Sequence, residues 1–372
     1  MNILRKIILL IFASSVFLSA FSQEKTCWKS HRFDASLCGK TDLELKKLYK
    51  LKWTYKTEDA IKSSPIVCKD KIFVGSDDGF VYSIFLNGKL NWKYKAETSV
   101  EAAPLLLDNL IIVGTLEGIL LALDSETGKL IWKYSCDGQI SGAANWAYSK
   151  KRKHNIVLVG SYDYNLHCLN SANGELLWKY ESDNFINGTP AINDEIAVFG
   201  GCDGFLHLVK IENGQAIDKI EIGTYIASSP VLVNDFAFFG NYDGDFYKIN
   251  LSSKKATWTN KNTGAYIGAP AVSDSFVVVG SNNKNLYCFD TSNGDLIWKF
   301  KTLQKIDSSP IITKKSVVIS STDGRIYIID KNSGKKKWSY EIGSAIVSTP
   351  AVTKNFIIVG ATDGKIYTFE GF

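Results

Sequence analysis

A repeat of about forty residues fills most of the chain beyond its first fifty positions. Each unit begins with Ser, Ala or Thr before Pro, runs through an apolar stretch into Val-Gly-Ser-x-Asp-Gly, and ends in a turn, a glycine and Leu-x-Trp. The unit-starting positions are Pro65, Pro104, Ala144, Pro190, Pro230, Pro270, Pro310 and Pro350. The chain therefore contains eight units.

Each unit contains short β-rich runs of nearly alternating polarity, such as residues 316–320 and 325–329. Asp-Gly between two such runs predicts a hairpin, and we expect a type I′ turn, in which both central residues have positive φ. Four short antiparallel strands in a unit of this length are typical of a propeller blade, whose faces are buried against neighbouring blades. We predict an all-β, eight-bladed β-propeller of four-stranded antiparallel blades.

The tryptophans predict how the ring closes. They recur in the outer strand of the units at Trp53, Trp92, Trp132, Trp178, Trp258, Trp298 and Trp338, and Asp218 replaces the missing one. The eighth unit ends at Phe372 without such a strand, whereas residues 51–55 precede the first unit. We predict that this N-terminal strand pairs with residues 365–369, because closure removes an exposed sheet edge. The propeller then spans residues 51–372, after a lead-in segment at residues 23–50.

The first residues are typical of an export signal. Arg5 and Lys6 precede an apolar run of about a dozen residues and small side chains up to Ser22. We predict a signal peptide at residues 1–22, since the run is shorter than the roughly 20 residues of a membrane span. The first cysteine, Cys27, does not follow the predicted cleavage point directly, so we expect no lipid anchor. The expected product is a periplasmic or secreted monomer with no membrane span.

The charge balance argues against nucleic acid as a partner. The formal net charge of +5 falls to +3 without the two basic residues of the signal peptide, and both signs are interspersed along the chain. The densest basic run, residues 150–153, belongs to an insertion in the third unit. We interpret this run as a solvated loop.

The cysteine pattern predicts one disulfide and no metal site. Seven cysteines in an exported protein leave at least one unpaired. Cys27 and Cys38 are the close pair outside the repeated strands, so we predict that they form a disulfide. Cys168 and Cys288 occupy equivalent places in two units and are interpreted as core residues. There is no Cys-x-x-Cys, and the four histidines are scattered, so no spacing indicates zinc.

Two segments carry a family resemblance. Residues 121–132, LALDSETGKLIW, resemble the tryptophan-docking repeat of the PQQ-like (quinoprotein-type) β-propeller family. Residues 28–39, with His31, Arg32 and Asp34, resemble the segment that often precedes the first blade in this family. The family includes eight-bladed quinoprotein dehydrogenases and BamB-like assembly lipoproteins. The resemblance implies the fold and leaves the function open, because one fold hosts many functions.

The enzymatic features implied by the resemblance are missing from the sequence. Quinoprotein dehydrogenases sandwich their quinone with a disulfide between adjacent cysteines and hold calcium with a Glu/Asn/Asp cluster. No two cysteines are adjacent here, and large insertions between the units are absent. His167 and His207 align with tyrosines such as Tyr82 and Tyr327 in other units, so we interpret them as packing residues rather than as general bases. We expect no cofactor and no catalytic activity.

One position of the repeat predicts a binding site. The residue three before each unit start should face the central funnel, and around the ring it reads Lys62, Glu101, Ser141, Asn187, Ala227, Ile267, Asp307 and Val347. Where packing determines the residue, equivalent positions of the blades should carry the same residue type. The variety at this position therefore indicates either ligand recognition or sequence drift at a solvated position. We predict Lys62, Glu101, Asn187 and Asp307 as ligand-binding residues.

The sequence thus predicts a non-catalytic exported propeller that acts as a protein-protein scaffold or ligand-binding module at the cell envelope. The expected partner is an envelope protein or an oligosaccharide. The alternative is a polysaccharide-related accessory protein or enzyme that uses the funnel. A quinone-dependent dehydrogenase is the third reading.

Overall fold

The computed structural model describes residues 27–261 and 263–372, and the predicted signal peptide at residues 1–22 lies outside them. These residues form 32 β-strands in eight four-stranded antiparallel sheets. The predicted all-β, eight-bladed propeller is confirmed. Within the described ranges, no helix is long and apolar enough to cross a membrane.

The strands of each blade follow one another from the central channel to the rim, except in the last blade. The first strand in the chain is β1 (Tyr49–Lys56). Blade 1 consists of β2 (Ile66–Cys68), β3 (Lys71–Gly75), β4 (Phe80–Phe85) and β5 (Leu90–Lys95), and blade 2 consists of β6 (Leu105–Leu107), β7 (Leu110–Gly114), β8 (Ile119–Asp124) and β9 (Leu130–Ser135). Blade 3 consists of β10 (Asn145–Ser149), β11 (His154–Gly160), β12 (Asn165–Asn170) and β13 (Leu176–Glu181), and blade 4 consists of β14 (Ala191–Ile192), β15 (Ile196–Gly200), β16 (Phe205–Lys210) and β17 (Ala216–Glu221). Blade 5 consists of β18 (Val231–Val233), β19 (Phe236–Gly240), β20 (Phe246–Asn250) and β21 (Lys255–Asn260). Blade 6 consists of β22 (Ala271–Val272), β23 (Phe276–Gly280), β24 (Asn285–Asp290) and β25 (Leu296–Lys301), and blade 7 consists of β26 (Ile311–Ile312), β27 (Ser316–Ser321), β28 (Arg325–Asp330) and β29 (Lys336–Glu341). Blade 8 consists of β30 (Ala351–Val352), β31 (Phe356–Gly360), β32 (Lys365–Gly371) and β1.

The N-terminal strand closes the ring as predicted. Strand β1 pairs antiparallel with β32, with Leu51 opposite Phe369 and Tyr55 opposite Ile366. The Trp53 indole nitrogen then donates a 2.9 Å hydrogen bond to the Leu86 carbonyl of blade 1. Strand β1 therefore completes blade 8 and also fastens it to blade 1.

The repeated tryptophans join most blades to the next. The Trp132 indole nitrogen donates to the Ser171 carbonyl at 2.9 Å, and its ring covers Gly174. A Cβ on Gly174 would lie 2.6 Å from that ring, and the residue has a φ of +73°. The glycine before Leu-x-Trp is therefore required both by the turn and by the tryptophan of the preceding blade.

Where Ser or Thr precedes the proline of a unit, its hydroxyl links neighbouring inner strands. The Thr189 N–H donates to Ser229 Oγ at 2.8 Å, and the Thr349 N–H donates to Ser64 Oγ at 2.9 Å. Each bond satisfies a buried backbone donor next to a proline, which has no N–H of its own. These contacts form part of a belt around the channel wall.

The predicted type I′ turns were wrong. Gly79 has a φ of +81°, but Asp78 is not left-handed. The Gly79 N–H donates to the Ser76 carbonyl at 3.2 Å, and the Phe80 N–H donates to the Asp78 carboxylate at 3.0 Å. This is the geometry of a type I turn followed by one left-handed residue. The aspartate is selected because its carboxylate accepts the N–H two residues later.

The lead-in segment runs along the inner strands and bonds to seven blades. Trp28 pairs with Val67 of blade 1, and Asn145 of blade 3 donates its side-chain amide to the Ala35 carbonyl. Lead-in carbonyls also accept inner-strand N–H groups of blade 2 and of blades 4 to 7, in the pairs Lys29 with Leu106, Ala35 with Ile192, Ser36 with Leu232, Cys38 with Val272 and Gly39 with Ile312. The segment therefore covers strand edges at one end of the channel.

A buried arginine anchors this segment across the ring. The Arg32 guanidinium donates to the carbonyls of Pro310 at 2.8 Å, Pro270 at 2.5 Å and Leu37 at 3.4 Å. Burial lowers the pKa of Arg32 to about 10, so the group keeps its charge at neutral pH. Three carbonyl acceptors replace the water that this charge has lost.

The disulfide prediction was also wrong in its partner. Cys27 is bonded to Cys68 at the end of β2, and Cys38 is free. The Cys38 thiol instead donates to the Asp34 carboxylate at 2.7 Å. The extended lead-in places Cys27 beside blade 1 and Cys38 beside blade 6, so proximity in sequence did not become proximity in space.

Candidate functional site

The central channel is a small cavity of about 170 Å³. Its wall includes three of the four predicted binding residues, Glu101, Asn187 and Asp307, while Lys62 lies outside this lining. His31 of the lead-in segment contributes at the other end of the cavity. The channel is thus open toward the Asp-Gly turns and narrowed by the lead-in.

Lys62 bridges two blades at the channel mouth. Its ammonium lies 2.8 Å from the Asp77 carboxylate and 2.7 Å from the Glu101 carboxylate. Both carboxylates raise the pKa of Lys62, whereas burial raises the pKa of Asp77. The structure therefore brings two of the predicted residues, Lys62 and Glu101, into one ionic cluster.

The other two predicted residues have separate partners. Asp307 pairs with Lys305 at 2.7 Å, and its second carboxylate oxygen is buried with no hydrogen-bond partner in the described chain. The Asn187 amide nitrogen donates to Cys202 Sγ at 3.3 Å. The four predicted residues therefore surround the mouth and do not converge on one point.

His31 is neutral at the channel floor. Its Nδ1 atom is buried and has no hydrogen-bond partner among the residues that the structure describes. Burial, and then the nearby charge of Arg32, lower the pKa of His31 to about 3. The imidazole is therefore uncharged at any physiological pH.

The eight residues three before each unit start form one ring around the channel mouth. A second ring, in which equivalent positions again carry different residue types, lies beside it and was not predicted from the sequence. It consists of the residue before the Asp, Glu or Asn of each hairpin turn: Asp77, Leu116, Tyr162, Cys202, Tyr242, Asn282, Thr322 and Thr362. The backbone N–H of each donates to the carbonyl of the residue five before the start of its own unit, as from Cys202 to Phe185 and from Tyr242 to Tyr225. The variety of residues at this repeat position is the sequence signal that reveals it.

Aromatic side chains are concentrated in and beside this second ring on blades 3 to 5. We call Tyr162, Tyr164, Phe185, Tyr225 and Tyr242 the aromatic crescent. The Phe185 ring stacks on Tyr162 at 4.7 Å and contacts Tyr164 at 5.3 Å, and the Tyr225 and Tyr242 rings lie 6.4 Å apart. All except Tyr162 are substantially exposed. The turn face therefore presents two groups of large rings to solvent.

The two buried histidines support the turns next to the crescent. His167 Nε2 lies 3.0 Å from the Asp163 carboxylate, and His207 Nε2 lies 2.7 Å from Asp203. In blade 1 the Tyr82 hydroxyl donates to the equivalent Asp78 carboxylate at 2.7 Å. The histidines thus replace a tyrosine hydroxyl, which agrees with their interpretation as packing residues.

A larger cavity of about 600 Å³ lies on the opposite face, between the lead-in and the hairpins of blades 4 to 6. Cys38 and Lys40 line it from the lead-in side, and Asp194 and Asp274 line it from the hairpins. Burial, and then Asp34, raise the pKa of the Cys38 thiol to about 12. A thiol held protonated in this way is a poor nucleophile.

These features define an eight-bladed propeller whose channel is capped by its own N-terminal segment and whose turn face is exposed. A family model described as outer membrane protein assembly factor BamB matches the chain in three overlapping segments, residues 25–184, 108–300 and 293–371. The chain belongs to this family.

Solved structures share the fold at low sequence identity. BamB from Moraxella catarrhalis is 16% identical with a TM-score of 0.75, over 87% of this chain and 100% of that chain. The quinohemoprotein alcohol dehydrogenase from Comamonas testosteroni is 13% identical with a TM-score of 0.79, over 96% of this chain and 82% of that one. The computationally designed Ika8 protein is 19% identical with a TM-score of 0.74, over 85% and 97%. No curated protein matches the chain.

The channel does not fit the quinone cofactor of the dehydrogenase branch. Sites for drug-sized ligands usually enclose about 300–1,000 Å³, whereas this channel has about 170 Å³ and ends at His31. The sequence also has no adjacent cysteines to sandwich a quinone ring. The residues present therefore offer no cradle for the group.

Proposed function

We propose that this protein is a non-catalytic protein-binding scaffold of the cell envelope, and that its partner docks on the face with the Asp-Gly turns. The observation that carries the proposal is the aromatic crescent. Tyrosine and phenylalanine are enriched in interface cores, because they bury a large area and lose little side-chain entropy. The hydrogen-bonded turns hold these rings in place before a partner arrives.

The residues at the channel mouth supply the polar part of this docking surface. Asn187 contacts Cys202, whose N–H donates to the Phe185 carbonyl, so Asn187 adjoins the crescent. Lys62 and Glu101 continue the polar rim onto blades 1 and 2. Apolar rings beside a polar rim are the usual anatomy of a protein interface.

The charge around the crescent indicates the kind of partner. Asp137 and Asp243 are exposed at turns on the same face. A partner segment with lysine or arginine side chains would gain both from these carboxylates and from the faces of the tyrosine rings. We therefore expect a basic surface on the docking protein.

The envelope location is supported by the predicted signal peptide and by the family. The matched family is described as an outer membrane protein assembly factor. Membership supports a role in which this propeller holds another envelope protein during assembly. The small capped channel supports a role without catalysis.

Site-specific photo-crosslinking tests this proposal. Tyr242 on the turn face and Tyr148 on the opposite face have nearly equal exposure, 52% and 53%. A photoreactive phenylalanine analogue is placed at each position in turn, and whole cells are irradiated. We expect a discrete protein adduct from position 242 and none from position 148. Equal adducts from both positions, or an adduct from 148 alone, would remove the turn face as the docking site.

A specific feature favours an oligosaccharide as the second candidate ligand. The Tyr225 and Tyr242 rings are both more than half exposed and are tilted by 56° to each other. Paired rings beside the Asp243 carboxylate could hold a sugar by stacking and hydrogen bonding. Calorimetry with soluble envelope glycans separates the two candidates: saturable binding that is lost in Tyr242→Ala, without any protein adduct, would favour the sugar.

A further inference from the structure

Three potential metal ligands meet at the junction of blades 2 and 3. Cys136 follows β9 of blade 2, while Asp163 and His167 belong to the turn and to β12 of blade 3. One ligand atom from each residue lies within 4.8 Å of the others. Their spacing in the sequence gives no metal signature, because the ligands come from two different blades.

We propose that Cys136, Asp163 and His167 form a binding site for a divalent transition-metal ion of the zinc type. Thiolate, carboxylate and imidazole are the ligand classes that Zn²⁺ takes in proteins. Tetrahedral zinc places its ligand atoms roughly 3.5 Å apart. Side-chain rotations would have to bring the three atoms, which now lie within 4.8 Å of one another, to this spacing.

The surroundings of the cluster suit a bound cation. Tyr134 Oη lies 3.1 Å from His167 Nδ1, so it can accept the Nδ1 proton when Nε2 binds the metal. The Asn165 N–H holds one oxygen of Asp163 at 3.0 Å, and the Asp137 N–H approaches the other at 3.3 Å. Binding converts the Cys136 thiol to a thiolate and releases one proton to solvent. The thiolate and carboxylate then neutralise the charge of the ion.

The twin junction between blades 3 and 4 shows which residue makes the difference. There His207, Asp203 and Tyr180 repeat the same contacts, but Ser182 stands where Cys136 would be. The Ser182 hydroxyl donates to the Tyr164 carbonyl at 2.8 Å, and Thr302 bonds its own turn in the same way. The Cys136 thiol instead interacts with Ser161 and Asp163. Packing explains the shared residues. Cys136 is itself buried among apolar side chains of blades 2 and 3, and it differs from Ser182 in offering a thiol that can bind a metal.

The site adjoins the aromatic crescent, since Tyr162 and Tyr164 flank Asp163 in the sequence. A bound ion would fix the turn that carries these two rings. The metal test below needs no partner protein, so its result is independent of the proposed scaffold function.

The test uses the purified mature protein, freed of metal and titrated with Zn²⁺ or Co²⁺. We expect one ion per chain with micromolar or tighter affinity. Bound Co²⁺ should give the visible bands of a tetrahedral site and a thiolate charge-transfer band in the near ultraviolet. Cys136→Ser and His167→Tyr should each weaken binding at least tenfold and abolish the charge-transfer band.

The variants are chosen so that a loss of metal binding cannot be caused by misfolding. His167→Tyr restores the residue that blades 1, 7 and 8 place against their aspartates. Cys136→Ser reproduces the twin junction. The matched controls His207→Tyr and Cys202→Ser should leave binding unchanged. Absence of a thiolate band in the unaltered protein, or equal binding by His167→Tyr, would overturn the proposal.

Discussion

The Asp218 carboxylate and the Lys254 ammonium form an ion pair between blades 4 and 5, where six other junctions place a tryptophan on a glycine. Asp218 takes the tryptophan position in β17, and Lys254 takes the glycine position at a φ of +59°. At the preceding junction, a Cβ on Gly214 would lie 2.5 Å from the Trp178 ring. A lysine is tolerated at 254 because no indole lies above it. The two departures from the repeat therefore belong together.

This relationship predicts coupling between the two positions. Asp218→Trp alone should destabilise the protein, because the indole meets the lysine side chain, whereas Asp218→Trp with Lys254→Gly rebuilds the usual junction. We expect an interaction free energy of at least about 1 kcal/mol in a double-mutant cycle from urea unfolding. Asp218→Trp combined with Lys255→Gly serves as the control pair. Simple additivity at 218 and 254 would contradict the packing model.

The second prediction concerns the disulfide. Peptide mapping without reduction should recover Cys27 joined to Cys68, with Cys38 as a free thiol. The bond closes a loop with a sequence separation of 41 residues, and its loss in Cys27→Ser should cost about 2–4 kcal/mol of unfolding free energy. Cys38→Ser should cost less than half as much. Recovery of a Cys27–Cys38 peptide would show that the lead-in follows another path.

The third prediction concerns ring closure. Deleting residues 23–56 should leave β32 with a free edge and cause self-association, because unpaired strand edges recruit other chains. Phe372 donates its N–H to the Leu48 carbonyl at 3.1 Å. A permuted chain of residues 57–372, a two-residue linker and residues 48–56 should therefore restore a monomer by light scattering. If the deleted and permuted chains associate equally, the missing lead-in rather than the missing strand is responsible.

The fourth prediction is a dependence of stability on pH. His31 has a pKa of about 3 in the folded protein against 6.5 when unfolded. The unfolded chain thus binds more protons between these values, and stability must fall as the pH drops from about 6.5 toward 3. His31→Asn should remove up to about 1.4 kcal/mol per pH unit from this slope. His154→Asn, in the insertion hairpin of blade 3, is the control that should keep the slope. Parallel pH profiles for His31→Asn and the unaltered protein would refute the assignment.

The fifth prediction concerns the channel mouth. Replacing Lys62, Glu101, Asn187 and Asp307 together by alanine should leave the fold intact, since partly exposed side chains contribute little to stability. The same variant should reduce the crosslinked adduct from position 242 at least tenfold. An unchanged adduct yield would confine docking to the aromatic rings or to the outer blade edges.

The fold could be predicted because the same pattern of strands and turns recurs in eight units of the sequence. Even the pairing of residues 51–55 with 365–369 follows from a missing strand at one end and a spare strand at the other. The turn type was not predictable from Asp-Gly alone, because the aspartate side chain competes for the N–H that decides the geometry. Tyr164 and Lys284 at the glycine position show that the turn tolerates other residues.

Positions on the channel wall could be predicted only where the repeat supplied a reference. Glu101, Asn187 and Asp307 line the channel, as their repeat position predicts, and their role in binding stays a prediction. Comparison of equivalent positions would also reveal the crescent. The lead-in segment occurs once in the chain, so no repeated unit gives a reference for it. Its path past seven blades and the Cys27–Cys68 bond could therefore not be predicted from the sequence. The Cys136 cluster was hidden because its ligands meet only after two blades have packed.

The contact between β1 and β32 also sets the order in which the molecule can be completed. Lys52 and Glu370 form a 2.8 Å ion pair across 318 positions of sequence. At 5–20 residues per second, a ribosome needs on the order of half a minute to make the chain between them. Throughout that time the clasp strand has no partner, and blade 8 cannot form. A chain that stops anywhere before β32 would leave the ring open. The ring can therefore close only after β32 has been synthesised.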